Sequence, residues 1–410
     1  MKYVEHGIRY LRGQSVTEEG LDLKDELYIS TEDHGRMIRA EVIPRDVLLT
    51  IAGSIGNCCV VRGIERANIN QAIVKIRPSV HVDSDYLSIF LNSKYGKFQT
   101  SRLANGAVQL NVNFSEVGDI KVLVPSLEIQ RSLVAEIEAA RQSRKQKLAQ
   151  ADELLSSLDG YLLDQLGLNM PEESDKSVFA IRLGQVKTKL DSYSNQPRFR
   201  KLIQRLQSHE FPVEQLNSLA IDIFSGTTPK SGGDAYTESS EGIPFIRSGE
   251  ITKDGRVIED NAIFIKPEIY EGLMRRSQLQ QGDLLIAIVG ATIGSVGVYN
   301  RPNPANINQA IAAVRLDCKR VLPDFARWFL SSPIGQSILD YLKRPVARAN
   351  INLEEIGEIL ILIPPLEIQR SVIEQVDHAR QETRRLRQEA ETEWESAKTH
   401  FERKLLGEEV

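Results

Sequence analysis

The chain is poor in cysteine, has no long apolar run and carries no excess of positive charge. Its 410 residues include three cysteines, and an odd total with Cys58 next to Cys59 argues against a disulfide framework. No apolar run approaches the length that crosses a bilayer, and the N-terminus lacks a signal-peptide pattern, so we expect a cytoplasmic protein. The net charge of −5 excludes a surface that is basic throughout, but it leaves room for a local nucleic-acid-binding patch.

The motifs of several enzyme classes are missing as well. Residues 290–297 are rich in glycine but lack the Gly-Lys-Ser/Thr ending of a phosphate-binding loop. The six histidines are scattered without the spacing of metal ligands, and no Asn-Pro-Pro-Tyr-like methyltransferase motif occurs. We therefore expect no catalytic residue and no metal site in this chain.

What the sequence does contain is an internal duplication. Residues 67–73 (ANINQAI) recur at 305–311, and residues 127–132 (LEIQRS) recur letter for letter at 366–371. Weaker matches occur in the same order along both copies, and the offset drifts only from 237 residues at Asp46 and Asp283 to 239 residues at Leu127 and Leu366. Ordered and nearly gap-free matches over this distance indicate a tandem duplication of one structural unit.

Each copy has the same predicted series of elements. Short and almost continuous apolar runs, bounded by Gly, Asn and Pro, predict strands buried on both faces. An amphipathic helix and a last strand follow, before a proline. These elements fall at 47–51, 86–91 and 120–124 in the first copy, and at 284–289, 325–330 and 359–363 in the second.

A long helix is predicted after the proline of each copy, because proline and serine are favoured in the first helical turn. Counting in sevens places apolar residues in a seam, which Arg141 and Arg380 interrupt at the same slot. We expect the two helices to pack against each other, although many seam residues could equally be ordinary intramolecular core. The predicted helix–helix seam comprises Leu127, Val134, Ile137, Leu148, Leu155, Leu158 and Leu162, with Leu366, Ile373, Val376, Trp394 and Phe401.

This organisation resembles that of the specificity (S) subunits of type I restriction-modification systems, over nearly the whole chain. The sequences VPSLEIQ at 124–130 and IPPLEIQ at 363–369 are similar to the Pro-Leu-x-x-Gln element that opens each conserved helix of that family. The second copy also has a family-like entry, at 190–193, 223–229 and 242–247. The resemblance implies two target-recognition domains that each read half of a bipartite DNA sequence, and no active site.

The resemblance also implies partners and cofactors. The expected partners are double-stranded DNA, two modification (methyltransferase) subunits and motor-nuclease restriction subunits, with no membrane. S-adenosylmethionine, ATP and magnesium are expected in the partner subunits. No cofactor is expected in this chain itself.

The predicted fold class is α/β (α+β) heads plus long helices. Two tandem target-recognition domains are expected to be separated by an antiparallel, coiled-coil-like pair of long helices with pseudo-two-fold symmetry. The predicted domains are a first recognition domain at 1–124, a first conserved long helix at 125–167, a second recognition domain with linker at 168–363, and a second conserved long helix at 364–410.

The two predicted recognition domains differ at their entry. Residues 7–12 match 242–247, but the first copy lacks a counterpart of the stretch at about 190–229. Two interpretations stay open at this point. Either the first domain is shortened at its N-terminus, or its true start lies upstream.

Three basic residues near predicted strands and turns are candidates for DNA binding. Arg12 and Arg247 occupy matching slots after a short strand, and arginine both reads guanine and binds phosphate. Lys230 follows a Gly-Thr-Thr-Pro turn in the second copy. An ordinary solvated surface cation is the competing interpretation for all three residues.

A polar loop between the head helix and the last strand is a further candidate, because recognition diverges most easily in a variable loop on a fixed frame. An ordinary surface loop is the alternative interpretation. The candidates in this loop are Gln109 in the first copy, and Lys343, Arg344 and Arg348 in the second.

The Asn-Gln pairs at 70–71 and 308–309 also have two interpretations. Carboxamides can read adenine, but they can also satisfy the backbone of a turn. The pair is identical in two domains that should read different sequences, so we favour the structural interpretation.

Two other classes of protein remain open from the sequence. A duplicated coiled-coil scaffold without DNA specificity would also explain the repeat. A decayed enzyme is the other alternative, and assays of methyl transfer and cleavage would test it. Salt-sensitive and sequence-specific DNA binding distinguishes a specificity subunit from a scaffold.

Overall fold

The structure, a computed structural model, describes residues 2–104, 111–169, 179–180, 193, 195–230, 233–252, 255–258, 262–343 and 350–408. It divides into two compact units. Unit 1 consists of Met1–Ala151 and Arg384–Val410, and unit 2 of Asp152–Thr383. Each unit therefore contains one copy of the repeat, called its head, together with part of both long helices.

In its described residues, the head of unit 1 combines short strands with four α-helices. The strands are β1 (Tyr3–Val4), β2 (Ile8–Leu11), β3 (Val16–Thr17), β4 (Gly20–Leu21), β5 (Tyr28–Ile29), β6 (Glu41–Val42), β7 (Val47–Thr50), β8 (Cys58–Val60), β9 (Ala67–Ile69) and β10 (Ile73–Ile76). The helices are α1 (Thr31–Arg36), α2 (Ser84–Asn92), α3 (Lys94–Leu103) and α4 (Phe114–Val117). The first long helix, α5 (Leu127–Gln165), begins in this unit.

Three sheets occur in the described part of the head of unit 1, with strand orders β1-β5-β2-β9-β6, β10-β7-β8 and β3-β4. In the second sheet β7 is central and antiparallel to both neighbours. Leu48 packs into one hydrophobic cluster, while Val47 and Leu49 pack into another with Phe90 of α2. The prediction of strands that are buried on both faces is confirmed for this strand.

Unit 2 repeats this plan with additional elements at its start. Its strands are β11 (Val213–Gln215), β12 (Ala220–Ser225), β13 (Tyr236–Thr237), β14 (Ile243–Ile246), β15 (Ile263–Ile265), β16 (Asp283–Ala287), β17 (Val296–Tyr299), β18 (Asn306–Ile307), β19 (Ile311–Leu316) and β20 (Leu360–Leu362). Its helices are α6 (Pro197–Gln207), α7 (Leu216–Leu219), α8 (Pro267–Glu271), α9 (Pro323–Ser331), α10 (Pro333–Leu342) and α11 (Leu353–Gly357). The second long helix, α12 (Leu366–Leu405), begins in this unit.

The pairing in unit 2 follows that in unit 1. The parallel pair β14–β18 corresponds to β2–β9, and β16 lies between β17 and β19 as β7 lies between β8 and β10. Every residue of β16 is buried, as predicted. Two strands extend this plan, because β12 pairs with β19 and β11 pairs with β20.

The predicted last strand forms in one copy only. In unit 2, β20 is antiparallel to β11. Residues 120–124 of unit 1 form no strand, so the prediction for the first copy is wrong. The physical reason is the missing partner: the described part of unit 1 contains no counterpart of β11, and an extended segment becomes a strand only when another strand satisfies its backbone.

The two long helices have 39 and 40 residues, as the heptad pattern predicted. In unit 1, Glu136 pairs with Lys404 at 2.8 Å, Arg144 with Glu391 at 2.9 Å, and Lys147 with Glu389 at 3.1 Å. Residue numbers rise along one helix as they fall along the other, so the helical segments within unit 1 are antiparallel.

Unit 2 packs the other two helical segments through apolar contacts. Leu158, Leu162 and Leu166 lie in one hydrophobic cluster with Val372 and Val376. Across the chain, the predicted seam residues divide into two groups. Ile137, Leu162, Val376 and Phe401 are buried, and Leu127, Val134, Leu148, Leu155, Leu158, Leu366, Ile373 and Trp394 are half-buried. None of the described helices combines the length and the apolarity that a membrane span requires.

Candidate nucleic-acid interface

One edge of each head is formed where three loops meet, and backbone hydrogen bonds join them in the same way in both units. In unit 1, Asn70 N donates to Leu11 O at 3.0 Å, Ile51 N to Ala72 O at 2.8 Å, and Val112 N to Ile51 O at 2.9 Å. In unit 2, the matching bonds are Asn308 N to Ile246 O at 3.0 Å, Ile288 N to Ala310 O at 2.9 Å, and Ile351 N to Ile288 O at 3.0 Å. We call this surface the polar edge. It comprises residues 12–14, 51–53, 70–72 and 111 in unit 1, and residues 247–249, 288–290, 308–310 and 350 in unit 2.

Glycine shapes the loop that follows the central strand at the polar edge. Gly53 and Gly290 have φ values of 75° and 83°, in the left-handed region that other residues rarely adopt. A Cβ at either position would meet no atom within 4 Å, so backbone conformation rather than crowding requires glycine there. The loop therefore presents bare backbone at the polar edge.

The asparagine and the glutamine of each Asn-Gln pair have different roles. Asn70 Oδ1 accepts from Ala72 N, and Asn308 Oδ1 accepts from Ala310 N, both at 3.1 Å. These bonds hold the turn, which confirms the structural interpretation for the asparagines. Gln71 and Gln309 are exposed beside them on the polar edge.

Two buried asparagines, which the sequence interpretation missed, brace the strands that lead to these turns. Asn68 Oδ1 lies 2.6 Å from His34 Nδ1, and its Nδ2 donates to Met37 O at 2.9 Å. In unit 2, Asn306 Oδ1 accepts from Ser277 at 2.7 Å, and its Nδ2 donates to a backbone carbonyl at 3.0 Å. The sequence did contain a signal for these residues, namely an asparagine that recurs inside an apolar strand in both copies. A buried carboxamide needs hydrogen-bond partners, so such an asparagine predicts a structural role.

Arg12 and Arg247 lie at the same place, between a strand and a short 3-10 turn (Gly13–Ser15 and Ser248–Glu250). Arg12 Nη2 donates to the Asp25 carboxylate. Arg247 donates from Nε and Nη2 to Glu250 Oε1, at 3.1 and 2.5 Å. Both arginine side chains are about two-fifths exposed, at 37% and 41%. A carboxylate therefore fixes the orientation of a partly exposed guanidinium on each polar edge.

The two candidate lysines have different positions. Lys230 is exposed, and it ends a segment that passes close to the polar edge of unit 2, because a Cβ at Gly226 would lie 1.8 Å from Ile307 O. Lys343 caps the C-terminus of α10, and its Nζ donates to Asp340 at 2.6 Å.

The remaining loop candidates, Gln109, Arg344 and Arg348, lie outside the described residues. The chain that follows these positions is described in both units. There Asn111 forms a β-bridge with Ala52, and Asn350 forms one with Val289. Both loops therefore re-enter the head at the polar edge.

A glutamine near the start of each long helix joins that helix to its head. The buried Gln130 accepts from Asp83 N at 2.8 Å and donates to His81 O at 2.9 Å and Pro125 O at 2.8 Å. The buried Gln369 repeats this arrangement in unit 2: it accepts from Leu322 N at 2.9 Å and donates to two backbone carbonyls at 3.0 and 2.9 Å. Asp83 and Leu322 are the N-caps of α2 and α9, so each glutamine ties the long helix to the start of the head helix.

A buried aspartate lies at the start of the central strand in each head, and it was also missed. Asp46 accepts from Nε and Nη2 of Arg77, both at 2.7 Å, and Asp283 accepts from the same atoms of Arg315 at 2.9 and 2.8 Å. The hydrogen bond to Asp46 raises the pKa of Arg77. Both aspartates are 1% exposed and also accept a backbone N–H, so they hold the strands that support the polar edge. Among the described residues, no group of three His, Cys, Asp or Glu side chains could hold a metal ion.

Comparison with known proteins finds similarity to one family over part of the chain. Residues 215–391 match the family model described as the type I restriction modification DNA specificity domain. Over 137 residues, which are 33% of this chain, the sequence is 32% identical to the specificity subunit of the type I restriction enzyme EcoBI of Escherichia coli. The aligned part spans 28% of that relative's own length.

Solved structures extend the comparison to the fold. A chain from a structure on complex assembly and conformational transition of the type I R-M system has a TM-score of 0.60 and 17% identity, covering 100% of this chain and 92% of that chain. The HsdS subunit of Thermoanaerobacter tengcongensis has a TM-score of 0.49 and 16% identity, covering 100% of this chain and 91% of its own. The first of these likenesses shows the fold, and it confirms the predicted class of α/β heads with long helices.

Proposed function

We propose that this chain is the DNA sequence-recognition subunit of a type I restriction-modification complex, because residues 215–391 match the model of the type I restriction modification DNA specificity domain. In this proposal each head reads one half of a bipartite target, and the chain has no catalytic residue of its own. The proposal includes a cytoplasmic location, where such a complex meets DNA.

The polar edge is the observation that carries this proposal. The same backbone hydrogen bonds build it in both units, so its frame is constant. The side chains on that frame differ, with Arg12-Gly13-Gln14 in one unit and Arg247-Ser248-Gly249 in the other. A constant frame with different polar side chains is what two readers of different half-sites need, because base contacts specify the sequence while phosphate contacts position the protein.

The proposed partners supply the chemistry that this chain lacks. Two modification subunits would bring S-adenosylmethionine and methylate the DNA, and motor-nuclease subunits would use ATP and magnesium. The long helices provide polar faces for docking, since most of their residues outside the seam are exposed. The assignment of these partners rests on the family of residues 215–391.

The test is to compare the methylated sequences produced by complexes that carry Arg12→Ala or Arg247→Ala. Each replacement should relax the base preference of one half-site and leave the other unchanged, because the two arginines lie in different heads. A base-contacting arginine contributes about 1–3 kcal/mol of discrimination, roughly five- to 160-fold. Methylome sequencing of cells that express each variant measures both half-sites at once.

Arg36→Ala is the matched control, since Arg36 is a more exposed arginine of the first head and lies outside the polar edge. It should leave both half-sites unchanged. If Arg12→Ala and Arg247→Ala both leave the methylated motif intact, neither arginine reads DNA. If the assembled complex shows no sequence preference and no salt-sensitive DNA binding, the chain is a scaffold and the proposed function is wrong.

A further inference from the structure

Unit 1 has an apolar groove that does not belong to the polar edge. Its volume is about 480 Å³, and it lies between β10, α2, α4 and the extended residues 120–124. Its apolar lining includes Val74, Ile76, Leu91, Val117, Ile120 and Val122. An open apolar surface of this kind on a folded head indicates a binding site.

The second head shows what covers the same surface. There the consecutive elements β11, α7 and β12 run from Val213 to Ser225. The first strand pairs with β20, the second pairs with β19, and Leu216 and Leu219 between them are buried at 0% and 1% exposure. We call residues 213–225 the cover segment. No counterpart of the cover segment occurs in the described part of unit 1.

Exposure changes at each matched position of the two heads. In unit 2, Ile356, Ile361 and Leu362 lie under the cover segment at 0% exposure. Their counterparts in unit 1 are Val117 and Val122, which are half-buried, and Leu123, which is 48% exposed. The residue types remain apolar although solvent reaches them, so the first head retains the chemistry of a covered surface.

A retained glycine points to the same occupant. In unit 2, a Cβ at Gly357 would lie 3.2 Å from Asn217 Cβ and 3.8 Å from Ile223 Cδ1, so the cover segment packs closely on this glycine. The matched glycine of unit 1 is Gly118, where an added Cβ would meet only Ser115 O within 4 Å. Nothing else in the described part of unit 1 crowds this position, which leaves room for the same close approach.

The edge of β10 supplies the backbone groups that a strand would pair with. Strand order places β10 at one end of its sheet, whereas its counterpart β19 has β12 on that side. In unit 2, Asp222 lies opposite Arg315 and Ile223 opposite Val314. Arg77 of unit 1 corresponds to Arg315, because each donates to the buried aspartate of its head. A strand added to β10 in the register of β12 would therefore place its counterpart of Asp222 opposite Arg77. An acidic side chain of the incoming strand would therefore meet a basic one.

From these observations we propose that the groove of unit 1 binds a strand–turn–strand polypeptide segment that has the chemistry of the cover segment and does not come from a second copy of this chain. The first strand would pair with residues 121–123, two leucines three residues apart would fill the groove, and the second strand would extend the sheet at β10. This is β-strand addition combined with the filling of an apolar pocket. The groove is separate from the polar edge, so the proposal for the groove does not depend on the proposed DNA recognition.

A synthetic peptide with the sequence of residues 211–226 is the probe, because its chemistry matches this groove. We expect the labelled peptide to bind the full chain saturably, with one site per chain, as measured by fluorescence anisotropy. A peptide in which Leu216→Asp and Leu219→Asp are combined should bind at least about tenfold more weakly, since the two apolar side chains that would fill the groove are replaced by charged ones. Unit 2 already carries its own cover segment, so protein variants must show which unit binds.

Gly118→Leu should weaken peptide binding at least about tenfold by filling the groove, and Leu123→Asp should do the same by placing a charge on the paired strand. Val80→Asp is the control, since Val80 is 84% exposed and does not line the groove. Thermal unfolding verifies the fold of each variant, and Leu123→Asp decides if Gly118→Leu does not fold. The proposal is overturned by absence of binding, or by binding that ignores both groove variants. It is also overturned by self-association that Leu123→Asp abolishes, which would make a second copy of the chain the occupant.

Discussion

Replacement of Gln369 by alanine should destabilise unit 2 far more than its position on a polar helix suggests. The side chain is 0% exposed and makes three hydrogen bonds to backbone groups. Each bond contributes about 1 kcal/mol net, and the Leu322 N–H and two carbonyls would lose a partner in a buried place. We therefore expect the free energy of unfolding of unit 2 to fall by about 3–5 kcal/mol.

Gln369→Glu sharpens this prediction because it keeps the shape of the side chain. One carboxylate oxygen can still accept from Leu322 N, but the other replaces an NH2 group that donates to two carbonyls. Burial beside carbonyl oxygens favours the protonated carboxyl and raises its pKa in the folded state above that in the unfolded chain. The stability of this variant relative to the parent should therefore increase as the pH falls and decrease as it rises.

The assay uses the two tryptophans of the chain, because Trp328 lies in unit 2 and Trp394 in unit 1. In a Trp394→Phe background, fluorescence during urea unfolding reports on the surroundings of Trp328 alone. Gln375→Ala is the control: this exposed glutamine lies on the same helix, and its loss should change stability by less than about 0.5 kcal/mol. A loss below about 1 kcal/mol for Gln369→Ala would refute the role of this residue as the joint between helix and head.

Three further predictions test other parts of the fold. Asp283→Ala should lower the stability of unit 2 by about 3–5 kcal/mol in urea unfolding, because it breaks the ion pair between the buried Asp283 carboxylate and Arg315. A loss of stability near zero would contradict this. Gly335→Ala should destabilise by about 1–3 kcal/mol or more, since the new Cβ would lie 2.2 Å from a backbone carbonyl oxygen. By contrast, Gly160→Ala near the C-terminal end of α5, where a new Cβ would meet no atom within 4 Å, should stabilise by about 0.5–1 kcal/mol in the same assay. In native protein at pH 8, iodoacetamide should label the exposed Cys318 well before Cys59, whose pKa burial raises to about 12; mass spectrometry of the labelled peptides that shows equal rates would contradict this.

The amino-acid sequence by itself determined the repeat, the class of each head and the two long helices. These features depend on local periodicity and on order along the chain, and both are visible without any tertiary contact. The buried central strands around Leu48 and Leu285 are examples, because a continuous apolar run bounded by turn residues is a local signal. The structural role of Asn70 was also accessible, since the same residue recurs in two heads that would read different bases.

Only the tertiary structure decided which side chains meet across distant segments. In the sequence, Gln130 and Gln369 are visible only as part of the repeated LEIQ at the start of each long helix, but their partners lie 47 to 49 residues earlier in the chain, as well as in the adjoining loop. The pairing of Asp46 with Arg77 is likewise non-local. Residues 120–124 have the composition of a strand, yet a strand exists only where a second segment satisfies its backbone, and that requirement cannot be read from the segment itself.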